Sequence, residues 1–406
     1  MSTLRFEYAL VDGRVQDEVH VSVEAGVVTE VVSTGSTTEG PSASEVVPGI
    51  TLPGLANCHS HAFHRALRGR TQTERGSFWT WREQMYRVAA ELTPDSYKDL
   101  ATDVYREMRA AGITAVGEFH YLHHQPDGTP YADPNEMGRA LLAAADDAGI
   151  RIRLLDACYL AAGFGQDVEG VQRRFSDGDA TRWAERVEAF GDDRVAAAVH
   201  SVRAVPRDQL KTVAAWAAEK GAPLHVHLSE QVAENEACEA VHGLTPTQLL
   251  AEEGVLGPLT TAVHGTHLTE TDVRLLGESG TFVCFCPTTE RDLADGIGPS
   301  RFLHDAGSRL TLGSDSQAVI DLFEEMRAVE MHERLATQQR GHWSAAELLA
   351  AATYDGHASL GFADAGRIAS GQRADLVTVG LESWRTRGTG ATAETLVFAA
   401  TAADVR

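Results

Sequence analysis

LPGLANCHSHAFHR, residues 52–65, sets a run of small apolar residues directly against three histidines, His59, His61 and His64. The run reads as a buried strand and the histidines crowd its end. In an extended segment, residues two apart project to the same side. His59 and His61 can therefore form half of a zinc site, while His64 lies past the strand and out of step with them. H-x-H alone is a weak pattern, so its meaning depends on what the other strand ends carry.

Working outward, seven further apolar runs follow GITLPGLANCHSH: ITAVGEFHYL, IRIRLLDACYL, RVAAAVHSVRAV, APLHVHLSE, LTTAVHGTH, TFVCFCPTT and RLTLGSDS. Helical stretches separate them, among them SYKDLATDVYREMRAAG, MGRALLAAADDAG, RDQLKTVAAWAAEKG and TETDVRLLGESG, and several end in a glycine suited to a helix C-cap. Eight β/α units in series predict an α/β fold, a (β/α)8 TIM-type barrel. An open doubly wound sheet lacks support, because no G-x-G-x-x-G or P-loop follows the first strand. Residues 4–33 alternate apolar and polar, and GRIASGQRADLVTVGL resumes that pattern near the C-terminus. The two chain ends are expected to pair into a small β-sandwich domain. The predicted division is 1–50 and 363–406 for its two parts and 51–362 for the barrel, with a low-complexity Ser/Thr/Gly/Glu loop over 33–45.

Composition narrows the partners. The 406 residues carry a net charge of −23, and lysine occurs only at Lys98, Lys211 and Lys220. So acidic a chain is expected to bind neither nucleic acid nor an anionic membrane. The N-terminus shows no signal-peptide pattern, and no apolar run reaches the ~18 residues of a spanning helix. Five cysteines with no C-x-x-C pair fit a reducing cytoplasm better than a disulfide framework.

In a barrel, chemistry sits at the carboxyl ends of the strands. The first run ends in His59 and His61, the second in His120 and Tyr121, and the fourth carries His200 and Arg203. The fifth holds His225, His227 and Glu230, the sixth His264 and His267, and the eighth Asp315. His227 and Glu230 form H-x-x-E, and an unpaired carboxylate such as Asp315 directly after a buried strand would be costly, so these additions strengthen the metal reading of the H-x-H pair. The remaining candidates divide. His225 is expected to face away from His227 and to be packed. His123 and His124, in HHQPDG, read as a solvated turn, and His120 could face either way. His264 lies closer to the apolar strand than His267 and is favoured. Cys284 and Cys286 read as strand interior, and His332 as part of an ordinary amphipathic helix.

The order H-x-H, H-x-x-E, His, S-D over eight units resembles the amidohydrolase superfamily. Within it, PGLANCHSHAFHRALRGR, FWTWREQMY, GITAVGEFHYLHH, AAAVHSVRAV, PLHVHLSEQ, AVHGTHLT, FCPTTERDLADGI and TLGSDSQAVID are similar to the formimidoylglutamate deiminase family of bacterial histidine degradation, over nearly the whole chain. The resemblance implies that His59, His61, His227 and Asp315 bind one divalent metal ion, zinc before others. It implies that Glu230 and His264 handle protons, with Asp315 as a further acceptor, and that Arg82, Tyr121, His200 and Arg203 contact a small dicarboxylate substrate, N-formimino-L-glutamate. His64 falls in the same pocket, at a position where the family pattern has glutamine. A homodimer is expected from the family. Its members continue past the point where this chain stops, FAATAADVR, so the small domain is expected to be incomplete.

The residues support this chemistry on their own terms. Two-metal relatives bridge their ions with a carboxylated lysine after strand four, where this chain has HSVRAV and places Lys211 in the following helix. A single metal is therefore expected, although iron or manganese suits the same ligands. A dicarboxylate needs local cations in so acidic a protein, and Arg82 and Arg203 supply guanidinium forks. Arg82 could instead be a surface residue of its helix. Two rivals remain: a mononuclear deaminase of guanine or a related heteroaromatic amine, and a non-catalytic barrel, which would be expected to have lost ligands that are all present here.

Overall fold

The structure, a computed structural model, describes residues 2–33, 45–72 and 76–406, so most of the expected 33–45 loop lies outside the described residues. The N-terminal alternation forms β1 (Ser2–Val11), β2 (Arg14–Glu24) and β3 (Val27–Ser33), followed by β4 (Val46–Pro53). The barrel strands are β5 (Leu55–Ser60), β6 (Ile113–His120), β7 (Arg151–Cys158), β8 (Val195–Val199), β9 (Leu224–Leu228), β10 (Thr260–His264), β11 (Phe282–Phe285) and β12 (Leu310–Leu312). A last strand, β13 (Leu376–Val379), comes from the C-terminal region.

All eight expected barrel strands form, in sequential order, and every neighbouring pair is parallel. Helices cover the outer face, so the strands are buried on both sides and read as near-continuous apolar runs. Every residue of β8, VAAAV, is buried. The helices Glu136–Ala148, Arg207–Lys220 and Glu270–Ser279 end, as expected, at Gly149, Gly221 and Gly280 in left-handed conformation.

The first run needs a correction. GITLPGLANCHSH reads as one strand, but it breaks at Gly54 into β4 of the small sheet and β5 of the barrel. A Cβ on Gly54 would lie 2.2 Å from Thr114 Oγ1, so only glycine lets the chain cross there. Both halves are apolar and buried, which is why periodicity could not divide them.

The small domain draws on both chain ends, in a five-stranded sheet of order β13-β4-β1-β2-β3. It is one layer rather than the two facing sheets of a sandwich. Its apolar face gathers Phe6, Val19, Val21, Val28 and Ile368. β4 runs to Pro53, past the division expected at residue 50, with Thr51 opposite Thr378. After β13 the chain turns to the helix Ala393–Phe398 rather than to further strands. All five cysteines are buried and free, and Cys284 and Cys286 pack with Ala56, Cys58 and Val263. Among the described residues no helix is long and apolar enough to cross a membrane.

Candidate metal centre and active site

Three imidazole nitrogens converge at the carboxyl end of the barrel. His227 Nε2 lies 3.1 Å from His59 Nε2 and 3.3 Å from His61 Nε2. Asp315 Oδ1 stands 3.4 Å from His59 Nε2 and 3.5 Å from His61 Nε2. The tautomers follow from the far sides of two rings. His61 Nδ1 donates to the Phe119 carbonyl at 2.9 Å, and His227 Nδ1 donates to the His200 carbonyl at 2.8 Å. Each of these rings then presents a bare lone pair on Nε2. Burial, reinforced by the neighbouring imidazoles, lowers the pKa of all three histidines well below the ordinary value, which keeps them neutral. Lone pairs facing each other at this distance repel unless a cation lies among them. The donor set, three neutral imidazoles and a carboxylate, fits zinc.

The proton-handling candidates stand beside this cluster. His264 Nε2 lies 3.8 Å from Glu230 Oε1 and 3.9 Å from Asp315 Oδ2, and its Nδ1 is 3.4 Å from Glu290 Oε1. Burial opposes charge on His264, but Glu230, Glu290 and Asp315 together push its pKa well above the ordinary value. Glu230 is pushed up to about 7, mainly by burial, against the pull of His264. Burial would also raise Asp315, yet the imidazoles of His61 and His264 hold it below the usual range.

The strands place these groups and a hydrogen-bond chain holds them. Asn57 Nδ2 donates to Ser314 Oγ at 2.7 Å, and the Ser314 amide donates back to Asn57 Oδ1 at 2.9 Å. Ser314 Oγ continues to Gln317 Oε1, Gln317 Nε2 to Ser60 Oγ, and Ser60 Oγ to Glu118 Oε2 at 2.6 Å. Glu118 also accepts from the Ala62 amide at 2.7 Å, which fixes the turn that follows H-x-H. A Cβ on Gly313 would come 2.8 Å from the His59 carbonyl oxygen, so glycine is required for strand eight to approach strand one. His264 (φ 71°) and Asp315 (φ 42°) both hold left-handed backbone, at a cost of about 1–3 kcal/mol each.

The sequence-derived pocket residues meet in one cavity. His64, Arg82, Tyr121, His200 and Arg203 line it together with His61, His227, Glu230, His264 and Asp315, while His59 lies fully buried beneath. His64 sits in the turn Ala62–Leu67, its Nε2 3.0 Å from the Tyr121 hydroxyl. Arg82 comes from the helix Phe78–Glu91 and lies over the Trp79 ring at 4.5 Å, but it reaches the cavity and is not merely a surface residue. Arg203 Nε stands 3.7 Å from Glu234 Oε2, and Glu234 accepts from the Ser229 amide. Lys211 lies away at the surface with Glu253, 3.2 Å from its Oε2.

Sequence reading missed the apolar rim: Phe78, Trp81, Met85, Tyr86, Tyr159, Phe175 and Leu293. FWTWREQMY held the signal for four of these, an aromatic-rich helix after the first strand. The free space left inside is only about 60 Å³. A larger space of about 470 Å³ opens between the small sheet and the opposite end of the barrel, beside Arg309 and Arg367, away from the converging histidines.

Two expectations about other histidines fail. His225 does not face away from His227: residues two apart in a strand share a face. His225 is packed within the barrel with its Nε2 3.3 Å from the Ser359 carbonyl. His123 and His124 are buried rather than solvated, because the Arg174 carbonyl accepts both of their amides and Asp177 takes His124 Nε2 at 3.1 Å. His120 faces away from the site, against His123. His120, His123 and Asp156 are close enough to hold an ion, but Arg186 already binds both Asp156 oxygens, at 2.8 and 2.9 Å.

A parallel barrel that gathers imidazole and carboxylate ligands at the carboxyl ends of its strands has the architecture of a metal-dependent hydrolase. The sequence model of the amidohydrolase family matches residues 50–405, and the chain belongs to that family, whose members here include enzymes that hydrolyse C–N bonds. It is 38% identical over 353 residues to a formimidoylglutamate deiminase of Pseudomonas aeruginosa, covering 83% of this chain and 77% of that protein. It is 30% identical over 382 residues to a 5-methylthioadenosine/S-adenosylhomocysteine deaminase of Natronomonas pharaonis, covering 93% and 84%. The crystal structure of an adenosine deaminase from Xanthomonas campestris with bound zinc superposes with a TM-score of 0.84 at 26% identity, covering 99% of this chain and 90% of that one.

Proposed function

We propose that the chain hydrolyses N-formimino-L-glutamate to N-formyl-L-glutamate and ammonia, as a step of histidine degradation. The observation that carries this reading is the presence of two guanidinium groups, Arg82 and Arg203, in the same cavity as the converging imidazoles. A dicarboxylate needs such a pair, whereas a neutral purine does not. The similarity to the P. aeruginosa deiminase supports the same substrate.

On this reading His59, His61, His227 and Asp315 hold one zinc ion, with residues 51–362 as the catalytic unit and residues 1–50 and 363–406 as the flanking domain. Zinc bound there would supply Lewis acidity, lowering the pKa of water to roughly 7. Asp315 accepts the proton that the attacking water gives up. Glu230, poised near 7 by burial, passes a proton to the formimino nitrogen as the trigonal carbon becomes tetrahedral. Charged His264 donates to the oxygen on that carbon, where negative charge develops. Asp315 then returns the water proton to the same nitrogen, the hydroxyl on the carbon gives its proton to Glu230 as the formyl carbonyl forms, and the C–N bond breaks with ammonia leaving. Arg82 and Arg203, with Tyr121, His200 and His64, bind the glutamate part. The proposal includes a cytoplasmic homodimer.

The rival substrate is a heteroaromatic amine such as guanine, favoured by the similarity to a nucleoside-type deaminase. Ammonia release from N-formimino-L-glutamate, guanine and 5-methylthioadenosine, measured on zinc-loaded protein, separates the two. The expected result is turnover of the formimino compound with N-formyl-L-glutamate as product. Faster turnover of either purine overturns it.

A further inference from the structure

Gln172 touches no ligand of the metal centre, yet it ties two phenols of the cavity together. It sits in the turn Gly170–Phe175, after the third barrel strand. Its Nε2 donates to the Tyr159 hydroxyl at 2.8 Å and to the Tyr86 hydroxyl at 3.1 Å. The orientation of the amide is set from its other end, where Gln172 Oε1 accepts from the Glu169 amide at 3.3 Å. Arg174, two residues on, donates to the His124 carbonyl at 2.9 Å and to the Leu92 carbonyl at 2.8 Å, just past the end of the helix that carries Tyr86. The bridge is therefore rigid at both ends.

Its polarity has a chemical consequence. An amide NH2 has two hydrogens and each goes to one phenol oxygen, so each oxygen is an acceptor in the bridge. The phenolic hydrogens are then not spent on Gln172. Both tyrosines line the cavity. Tyr86 lies under the Arg82 guanidinium, 5.4 Å from ring to Cζ, and Tyr159 packs on His200 at 4.7 Å between ring centroids. Burial, the neighbouring Tyr86 and a hydrogen bond between the two side chains raise the Tyr159 pKa, so its proton stays on and a bound carboxylate draws the shared hydrogen away from the Tyr86–Tyr159 contact. Arg82 and Arg203 line the same cavity as these two hydroxyls, so a carboxylate received here meets guanidinium as well as phenol.

We propose that Gln172 is a positioning residue that turns the Tyr86 and Tyr159 hydroxyls into donors for a carboxylate of the substrate, a short acyclic dicarboxylate. This rests on the function proposed above and adds two contact residues and their orienter to it.

The test uses the full-length zinc-loaded protein and glutarate as the probe. Glutarate affinity is read by calorimetry, and KM and kcat by turnover of N-formimino-L-glutamate, for the wild type, Gln172→Met, Tyr159→Phe and the double variant. A hydrogen bond to a charged group is worth about 10- to 100-fold in affinity. Each single variant is expected to weaken glutarate binding and raise KM by about 10-fold or more, with kcat within about threefold. The double variant should be no worse than the weaker single one, because Gln172 acts through the phenol. Unchanged glutarate affinity in both single variants, multiplicative losses in the double variant, or a wild type that binds no glutarate overturns the inference. If Gln172→Met fails to fold, Tyr159→Phe alone decides. A wild type that binds glutarate with these losses but does not deiminate N-formimino-L-glutamate sinks the proposed reaction and leaves the carboxylate rim standing.

Discussion

The backbone amide of Asp315 donates to the carbonyl of His59 at 2.9 Å, and the amide of His61 returns the contact to the Asp315 carbonyl at 3.0 Å. These two bonds, with the bridge Ser60–Asp315, join strand one to strand eight, which share no longer ladder. The barrel therefore closes at the residues whose side chains form the candidate metal centre. Closure and ligand spacing are one structural event, and disturbing either should disturb both.

Asn57→Ala removes two of the side-chain bonds across that seam and leaves the buried Ser314 amide unpaired, while Ser314 Oγ keeps Gln317. The expected cost is about 1–3 kcal/mol in denaturant unfolding, accompanied by weaker zinc binding. A destabilised variant with wild-type zinc affinity would separate closure from ligand spacing.

Removing divalent metal with a chelator is expected to abolish turnover and lower the melting temperature, since the bare Nε2 lone pairs are left to repel. One equivalent of zinc per chain should restore both. A melting temperature indifferent to chelation and re-addition would mean that the imidazole cluster is not a metal site.

Glu230→Gln keeps the size of the side chain and removes its basicity. Zinc content by elemental analysis should stay at the wild-type level, while kcat falls by about 10²- to 10⁴-fold. Near-normal turnover would assign the proton transfer elsewhere.

Arg203→Met is expected to raise KM for the formimino substrate by about 10- to 100-fold, with a smaller effect on kcat. Arg203→Lys should recover only part of the loss, because an ammonium cannot form the bidentate fork. A KM that stays put in both variants would remove Arg203 from the carboxylate contacts.

Glu118 is pushed up to about 8 by burial, against the donors Ala62 and Ser60. A carboxyl whose folded pKa lies above its ordinary value of 4.5 contributes stability that is complete below that value and lost as pH rises through the folded one. The melting temperature should therefore fall between about pH 5 and 8, and Glu118→Gln should flatten that slope. Equal slopes in the two proteins would show that Glu118 does not ionise in this window.

The legible part of the site was the part with local spacing. His59 and His61, two apart at a strand end, and Glu230, three past His227, declare a shared side or a shared strand end by number alone. What failed were inferences from local character. HHQPDG looks like a solvated turn, but Asp177 and the Arg174 carbonyl, some fifty residues on, cover the two histidines. GITLPGLANCHSH looks like one strand, because no polar residue marks where the chain passes from one sheet to the other. Asn57 and Ser314, 257 residues apart, and Gln172 with Tyr86, 86 apart, carry no periodic signal at all.

The sequence by itself determined the architecture and the kind of chemistry: eight alternating apolar runs with histidines and an aspartate at their ends admit few arrangements other than a metal-binding barrel. Tertiary structure decided the distances, which nitrogen of the His61 and His227 rings faces inward, which carboxyls burial pushes up, and which phenols Gln172 ties together. Those properties depend on burial and on partners brought together only when strand eight meets strand one, where His264 and Asp315 hold left-handed backbone that packing and hydrogen bonding, not local preference, impose.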